Sequence, residues 1–399
     1  MGFARYILEH PNEVELIALA EPNRERRKSV AKEHGIPKKM QFSDWKELAS
    51  KKKLAHAVII ATLDSLHTEP TIAFAEKGYA ILLEKPMAQT EEECRKIVSV
   101  IQEHKVLFAV CHVMRYTHYT QTIKTLIDAG TIGEVINIQH LEPVGYWHQA
   151  HSFVRGNWAT EKDSGPMLLT KSCHDMDWIR YIMGRRCISV SSFGGLNHFR
   201  AENKPSNAGD NCLQCTYEPQ CPYSAVKIYL GRFAKGVRGW PLDVLTLDVS
   251  EKSLTNAIKS GNYGKCVYQC ENDVVDHQVV NMLFEGNATA THTMMAFTEA
   301  TGRRTRIFGT RGEMTGDGSR IRTFNFLKDH ENTLDTRATA ATISGGHGGG
   351  DDALMKSFIE AVSSKDQEKI LSGITETLET HLMTFAAEKA RKENRVVNL

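Results

Sequence analysis

Glu84 and Lys85 are two opposite charges placed where a buried strand should end. Ala80 to Leu83 is an unbroken apolar run after Gly78, the pattern of a strand covered on both faces in a parallel sheet. Ligands bind at the carboxyl ends of such strands. An ammonium there can polarise an oxygen, and a carboxylate can hold a hydroxyl. Pro86 stops the ladder, and Thr90 with Glu93 reads as a capping box that opens the next helix. The plain alternative is a strand that merely ends in charges. His112 and Arg115 also follow a buried strand, Leu107 to Val113, and so belong at the ligand end of the sheet. A second chemical spacing is Cys212-x-x-Cys215-x5-Cys221. Structural zinc takes four ligands. No fourth is evident nearby, and Cys187, His198, Cys266 and Cys270 all remain open. Free thiols in a loop are the default reading, and no metal is assigned.

The 399 residues suffice for two domains with full cores. An apolar fraction of 41% and a charged fraction of 24% are those of a globular chain. A net charge of +1 argues against nucleic acid or an anionic membrane as partner. No apolar run approaches the roughly 20 residues of a membrane span, and the start lacks a signal-peptide pattern. Nine cysteines, an odd number, suggest free thiols in a reducing cytoplasm.

Strands are expected at 13–20, 55–61, 80–83 and 107–113. Helices are expected at 3–9, 24–34, 45–50, 68–77 and 91–104 between them. That alternation predicts a Rossmann-like doubly wound parallel sheet over residues 1–116. A dinucleotide fold starts with a strand entering a G-x-G-x-x-G turn, about 20 residues ahead of an acidic residue on the ribose. Counting back from Glu21 reaches Met1, so the first strand and most of the phosphate loop are expected to be missing. From residue 117 the pattern changes. Strands at 135–142, 274–284, 288–295 and 305–308, a helix at 167–183 and C-terminal helices within 352–392 predict an α+β domain with a large, open, mainly antiparallel sheet.

Glu84-Lys85-Pro86, the Thr62…His67 loop and the Gly165…His174-x-x-Asp177 helix together resemble the glucose-fructose oxidoreductase / inositol dehydrogenase / rhizopine-catabolism (Gfo/Idh/MocA) family, in order and spacing across both domains. The resemblance implies an NAD(P)-dependent oxidoreductase of sugars, polyols, cyclitols or dihydrodiol-like alcohols. It implies a small-molecule substrate and a homo-oligomer built on the open sheet. Carried over, Glu21 would hold the adenine ribose, which slightly favours NAD over NADP, although Arg24, Arg26 and Arg27 lie close by. Thr62 and His67 would line the nicotinamide, Glu84 its ribose, and Lys85 would stand beside the reacting carbon. His174 matches the catalytic histidine.

The usual aspartate one turn before that histidine is here Thr170. Lys171, three residues before His174, would share its helix face and depress its pKa. Arg115 joins the expected cofactor contacts. His112, His148, Arg155 and Trp158 form the expected substrate surface, with Trp147 and Trp158 able to stack on a sugar or else to fill an interdomain seam. His347 and Asp351, in a glycine-rich stretch, are further candidates. Two other readings stay open: a non-catalytic binding or sensing member, and an NAD-dependent glycosidase with no net redox.

Overall fold

The computed structural model describes residues 2–337 and 347–399, the side chain of His347 excepted. In the first domain, β3 (Ala57–Ile60), β4 (Ala80–Leu83) and β5 (Phe108–Val110) form a parallel sheet with β4 at its centre. Ile81, Leu82 and Leu83 are fully buried, as an apolar run without alternation requires. Ile60 pairs with Leu83 and Leu83 with Val110, so all three strands end together. Thr62, Glu84 and His112 therefore emerge along one edge. The helix Glu91–His104 begins as expected: the Thr90 hydroxyl accepts from the Glu93 N–H.

β1 (Leu19–Ala20) pairs only with β2 (Gln41–Phe42), in a separate parallel ribbon. The strand expected over 13–20 shrinks to these two residues because only they find a hydrogen-bonded neighbour. Between ribbon and sheet lies a cavity of about 910 Å³, bordered by Leu19, Ala20 and the whole of β3.

The second domain holds a nine-stranded sheet made of β6 (Val135–Pro143), β7 (Cys187–Gly195), β8 (His277–Phe284), β9 (Thr289–Met295), β10 (Arg304–Gly309), β11 (Gly312–Gly316), β12 (Arg320–Asn325), β13 (His330–Asp335) and β14 (Val397–Asn398). Their order is β13-β12-β11-β10-β6-β9-β8-β7-β14, antiparallel except for β6 beside β9. Helices Cys173–Met183 and Ile374–Glu393 cover one face. Met176, Ile179, Met383 and Ala387 meet Val280, Met282 and Ile307 there.

The C-terminal helices pack against both domains. Gly350–Ser364 buries Leu354, Met355 and Phe358 against Tyr6, Leu82 and Ala109, which places it in the core of the first domain. Its approach is close: a Cβ on Gly350 would lie 2.4 Å from the Val113 carbonyl oxygen. Ile374–Glu393 straddles both domains, with Leu378 and Phe385 against the first and Met383 and Ala387 in the second. No helix among the described residues is long and apolar enough to cross a membrane.

Candidate active site

Lys85 reaches from the tip of β4 into the second domain, where its Nζ donates to the Thr170 carbonyl oxygen at 2.9 Å. Thr170 closes a short helix, Met167–Thr170, four residues ahead of His174. Glu84 turns back, and its carboxylate accepts the Lys85 N–H at 3.1 Å. Burial raises the Glu84 carboxyl pKa, against the pull of the Lys85 and His67 charges. His67 is fully buried and brackets this tip: its Nδ1 lies 2.7 Å from the Pro86 carbonyl oxygen and its Nε2 3.3 Å from that of Thr62. That holds the Thr62 loop and the Lys85-Pro86 turn in fixed register, a positioning role.

His174 lies in the first turn of Cys173–Met183 and is nearly buried. Its ring meets that of His112 edge-on, with centroids 5.9 Å apart, and His112 in turn meets His381 at 5.7 Å. His112, expected to touch substrate, is fully enclosed behind His174, and burial lowers its pKa to about 3. It is a neutral backing group across the working pH range. His381 was not foreseen. Its Nε2 accepts the Met87 N–H at 2.8 Å, a contact between residues 294 positions apart that no local pattern encodes.

Arg115 is not free for a cofactor. Its guanidinium grips Asp177 through two bonds of 2.7 Å and reaches Glu376 at 3.0 Å, all but wholly buried. A bidentate pair inside the protein satisfies the cation and orients the carboxylate beside His112. Arg115 therefore belongs to the interdomain framework.

Lys171 also departs from expectation. The helix expected over 167–183 breaks at Lys171 and Ser172, so Lys171 is not one turn beneath His174. Its Nζ binds Glu142 at 3.0 Å, and Glu142 also holds Arg303 at 2.9 Å. Arg303 continues to Asp175, whose carboxylate lies 2.9 Å from His140 Nε2. The Lys171 charge is thus already balanced. Burial and then this cation push the His148 pKa far below neutrality. Lys171→Met should leave the pH–rate profile unshifted, because Glu142 keeps Arg303 as partner. A displaced acidic limb in that profile would restore the role first assigned to Lys171.

The loop expected to bind substrate divides. Trp158 donates from Nε1 to Asp64 at 3.0 Å, joining the loop after β3 to the second domain beside a cavity of about 500 Å³. Trp147 instead stacks beneath the Arg232 guanidinium and against Trp240, a packing role. Arg155 borders the same cavity as Trp158 but directs Nε and one amino group to the Lys265 and Tyr223 carbonyls.

Glu21 and Thr62 border the same cavity of about 910 Å³. The Glu21 carboxylate accepts the Asn23 N–H at 2.7 Å and stands 3.5 Å from Arg26, while Arg24 points to solvent. Glu21 stands at one end of this mainly apolar cavity and the Thr62 loop at the other, the two places the resemblance assigns to the ends of a nicotinamide nucleotide. Asp351 opens the Gly350–Ser364 helix near enough to Glu84 to raise its pKa further, whereas the His347 side chain lies outside the described residues. Among the described residues no three His, Cys, Asp or Glu side chains already surround one metal position.

Residues 2–112 match the oxidoreductase family's NAD-binding Rossmann fold, and residues 124–399 match its C-terminal alpha/beta domain. YteT of Bacillus subtilis is 23% identical over 329 residues, spanning 79% of this chain and 74% of YteT. The scyllo-inositol 2-dehydrogenase (NAD(+)) of Bacillus subtilis is 32% identical over 185 residues, 45% of this chain and 50% of that enzyme. Among solved structures, levoglucosan dehydrogenase in complex with NADH and levoglucosan superposes with a TM-score of 0.70 at 17% identity. The superposition covers 100% of this chain and 95% of that one. With both halves of the chain matched by its two models, this protein belongs to the Gfo/Idh/MocA family of oxidoreductases.

Proposed function

We propose that this protein moves a hydride between a nicotinamide cofactor and a carbinol of a sugar, polyol or cyclitol, with NAD favoured over NADP. The observation that supports this reading most is the Lys85–Thr170 bond, which brings the ammonium of one domain to the segment leading into His174 of the other. Bound nicotinamide would supply the hydride acceptor. Lys85 then polarises the substrate oxygen, and His174 takes the hydroxyl proton as that oxygen becomes a carbonyl. His112 and His148, held neutral by burial, add no competing charge. Glu21, a carboxylate at the ribose end, disfavours a 2′-phosphate.

The test mixes purified protein with NAD⁺ or NADP⁺ and, separately, scyllo-inositol, levoglucosan or a 1,5-anhydro sugar, and follows reduced nicotinamide. Accumulation of NADH with one of these alcohols is expected. Failure of either cofactor to bind, or binding without reduction by any of the alcohols, would overturn the reading. A second reading comes from a 2,7-anhydro-N-acetylneuraminate hydratase of Mediterraneibacter gnavus, 35% identical over 139 residues. An activity of that kind would turn substrate over with no net NADH, so the same assay separates the two.

A further inference from the structure

Arg155 is an internal cation without a carboxylate. It is 4% exposed, and among the described residues it forms no ion pair. One of its terminal nitrogens, Nη1, is buried with no hydrogen-bond partner. The other, Nη2, lies 3.5 Å from the Cys212 sulfur. A guanidinium cannot shed its proton inside a protein, and an uncompensated buried charge is strongly unfavourable. The surroundings therefore call for negative charge; Glu218 borders the same cavity but is engaged by the Ser224 hydroxyl and makes no ion pair with Arg155, and the other ionisable groups there are chiefly thiols. Cys212, Cys215, Cys221 and Cys266 line one cavity of about 20 Å³ together with Arg155. That volume holds a single ion or water.

The local backbone brings these thiols together from two turns and a distant segment. Cys212 and Cys215 sit around a short 3₁₀ turn, and Cys221 closes the next one. Cys266 arrives because Asn211 bridges Lys265 in antiparallel fashion and the Cys266 N–H binds the Asp210 carbonyl. The Gly209 N–H already points at the Cys215 sulfur at 3.2 Å, as a donor to a thiolate would. The fourth position, open in the sequence, is narrowed by the fold. Cys187 lies on β7 in the sheet core, His198 is engaged with Tyr268, and Cys270 borders a different cavity.

We propose that Cys212, Cys215, Cys221 and Cys266 bind one thiophilic divalent cation of the zinc class, with Arg155 as the charge partner of the thiolate cage. Four thiolates around a dication carry a net charge of about −2, which offsets the buried guanidinium. Among the described residues the four sulfurs do not yet stand at ligating spacing. Binding therefore turns them inward from the cavity wall, with loss of the thiol protons. The site is closed, with no position left for substrate, so its role is structural. It would fasten a segment whose regular structure amounts to short turns, and so steady the Arg155–Trp158 loop beside the interdomain cavity.

The test is elemental analysis of the purified full-length protein, paired with titration of its native thiols before and after a strong chelator. About one zinc per chain is expected, with four additional thiols becoming reactive once the metal is removed. Cys212→Ser and Cys266→Ser should each lose the metal, and Cys270→Ser should keep it. Because a ligand variant can fail to fold, the thiol titration of the unaltered protein decides independently. Protein free of thiophilic metal that binds no added zinc, or thiols equally reactive with and without chelator, would overturn the proposal. So would full retention of zinc in both ligand variants.

Discussion

Replacing Lys85 with methionine should lower kcat by about 10²–10⁴-fold while the protein stays folded, the range expected for loss of a polarising or proton-handling group. The side chain is only partly buried and bonds a carbonyl, and its removal moves the neighbouring Glu84 carboxyl further toward its neutral form, since the Lys85 charge opposes burial there. Methionine keeps the length of the stem. His174→Gln should fall by a similar factor and should also lose the acidic limb of the kcat/KM profile. His112 and His148 cannot supply that limb, since burial keeps both neutral far below pH 6. Steady-state kinetics with matched thermal midpoints check the pair. A Lys85→Met enzyme as fast as the parent would remove the amine from the chemistry.

The largest stability effect belongs to Asp177. Asp177→Asn removes the bidentate partner of the buried Arg115 cation and leaves it only the exposed Glu376 carboxylate, and breaking a buried pair in this way costs about 3–5 kcal/mol. Replacing both partners with apolar residues, Arg115→Met with Asp177→Leu, should be milder than either single change, because no ion is left unpaired. Burial works to raise the Asp177 carboxyl pKa, and the Arg115 guanidinium more than offsets it, leaving it lowered. A depressed carboxyl stabilises fully above its unfolded value, about 3.9, and that contribution is lost as pH falls toward the folded value. Denaturant unfolding should therefore show the parent losing stability below about pH 4 and Asp177→Asn lacking that increment of acid sensitivity. An asparagine variant as stable as the parent at neutral pH would show the pair to be dispensable.

Much of this arrangement was legible because it is local. The apolar run before Glu84 fixed β4 and its fully buried environment, and the T-x-x-E signature fixed where the next helix starts. The break at Lys171 was not legible. The apolar spacing continues through it, and only the tertiary bond from Lys85 to the Thr170 carbonyl marks the place. Arg115 and Arg155 read as ligand contacts because a buried arginine and an exposed one look alike in sequence; their partners lie 62 to 261 and 57 to 110 positions away. Strands β11 to β13 were missed for another reason. They are short and polar, and β13 exposes both faces, so alternation has nothing to report.

Docking of the Gly350–Ser364 helix against Tyr6, Leu82 and Ala109 ties the last eighth of the polypeptide to its opening residues. During synthesis, then, the nucleotide-side half emerges first yet lacks one wall until the ribosome has nearly finished. Its apolar surface must wait, exposed, through the making of the entire second half. Slow maturation is the expected consequence of that topology, and truncation near residue 345 should unsettle both halves, since Ile374–Glu393 also covers the large sheet.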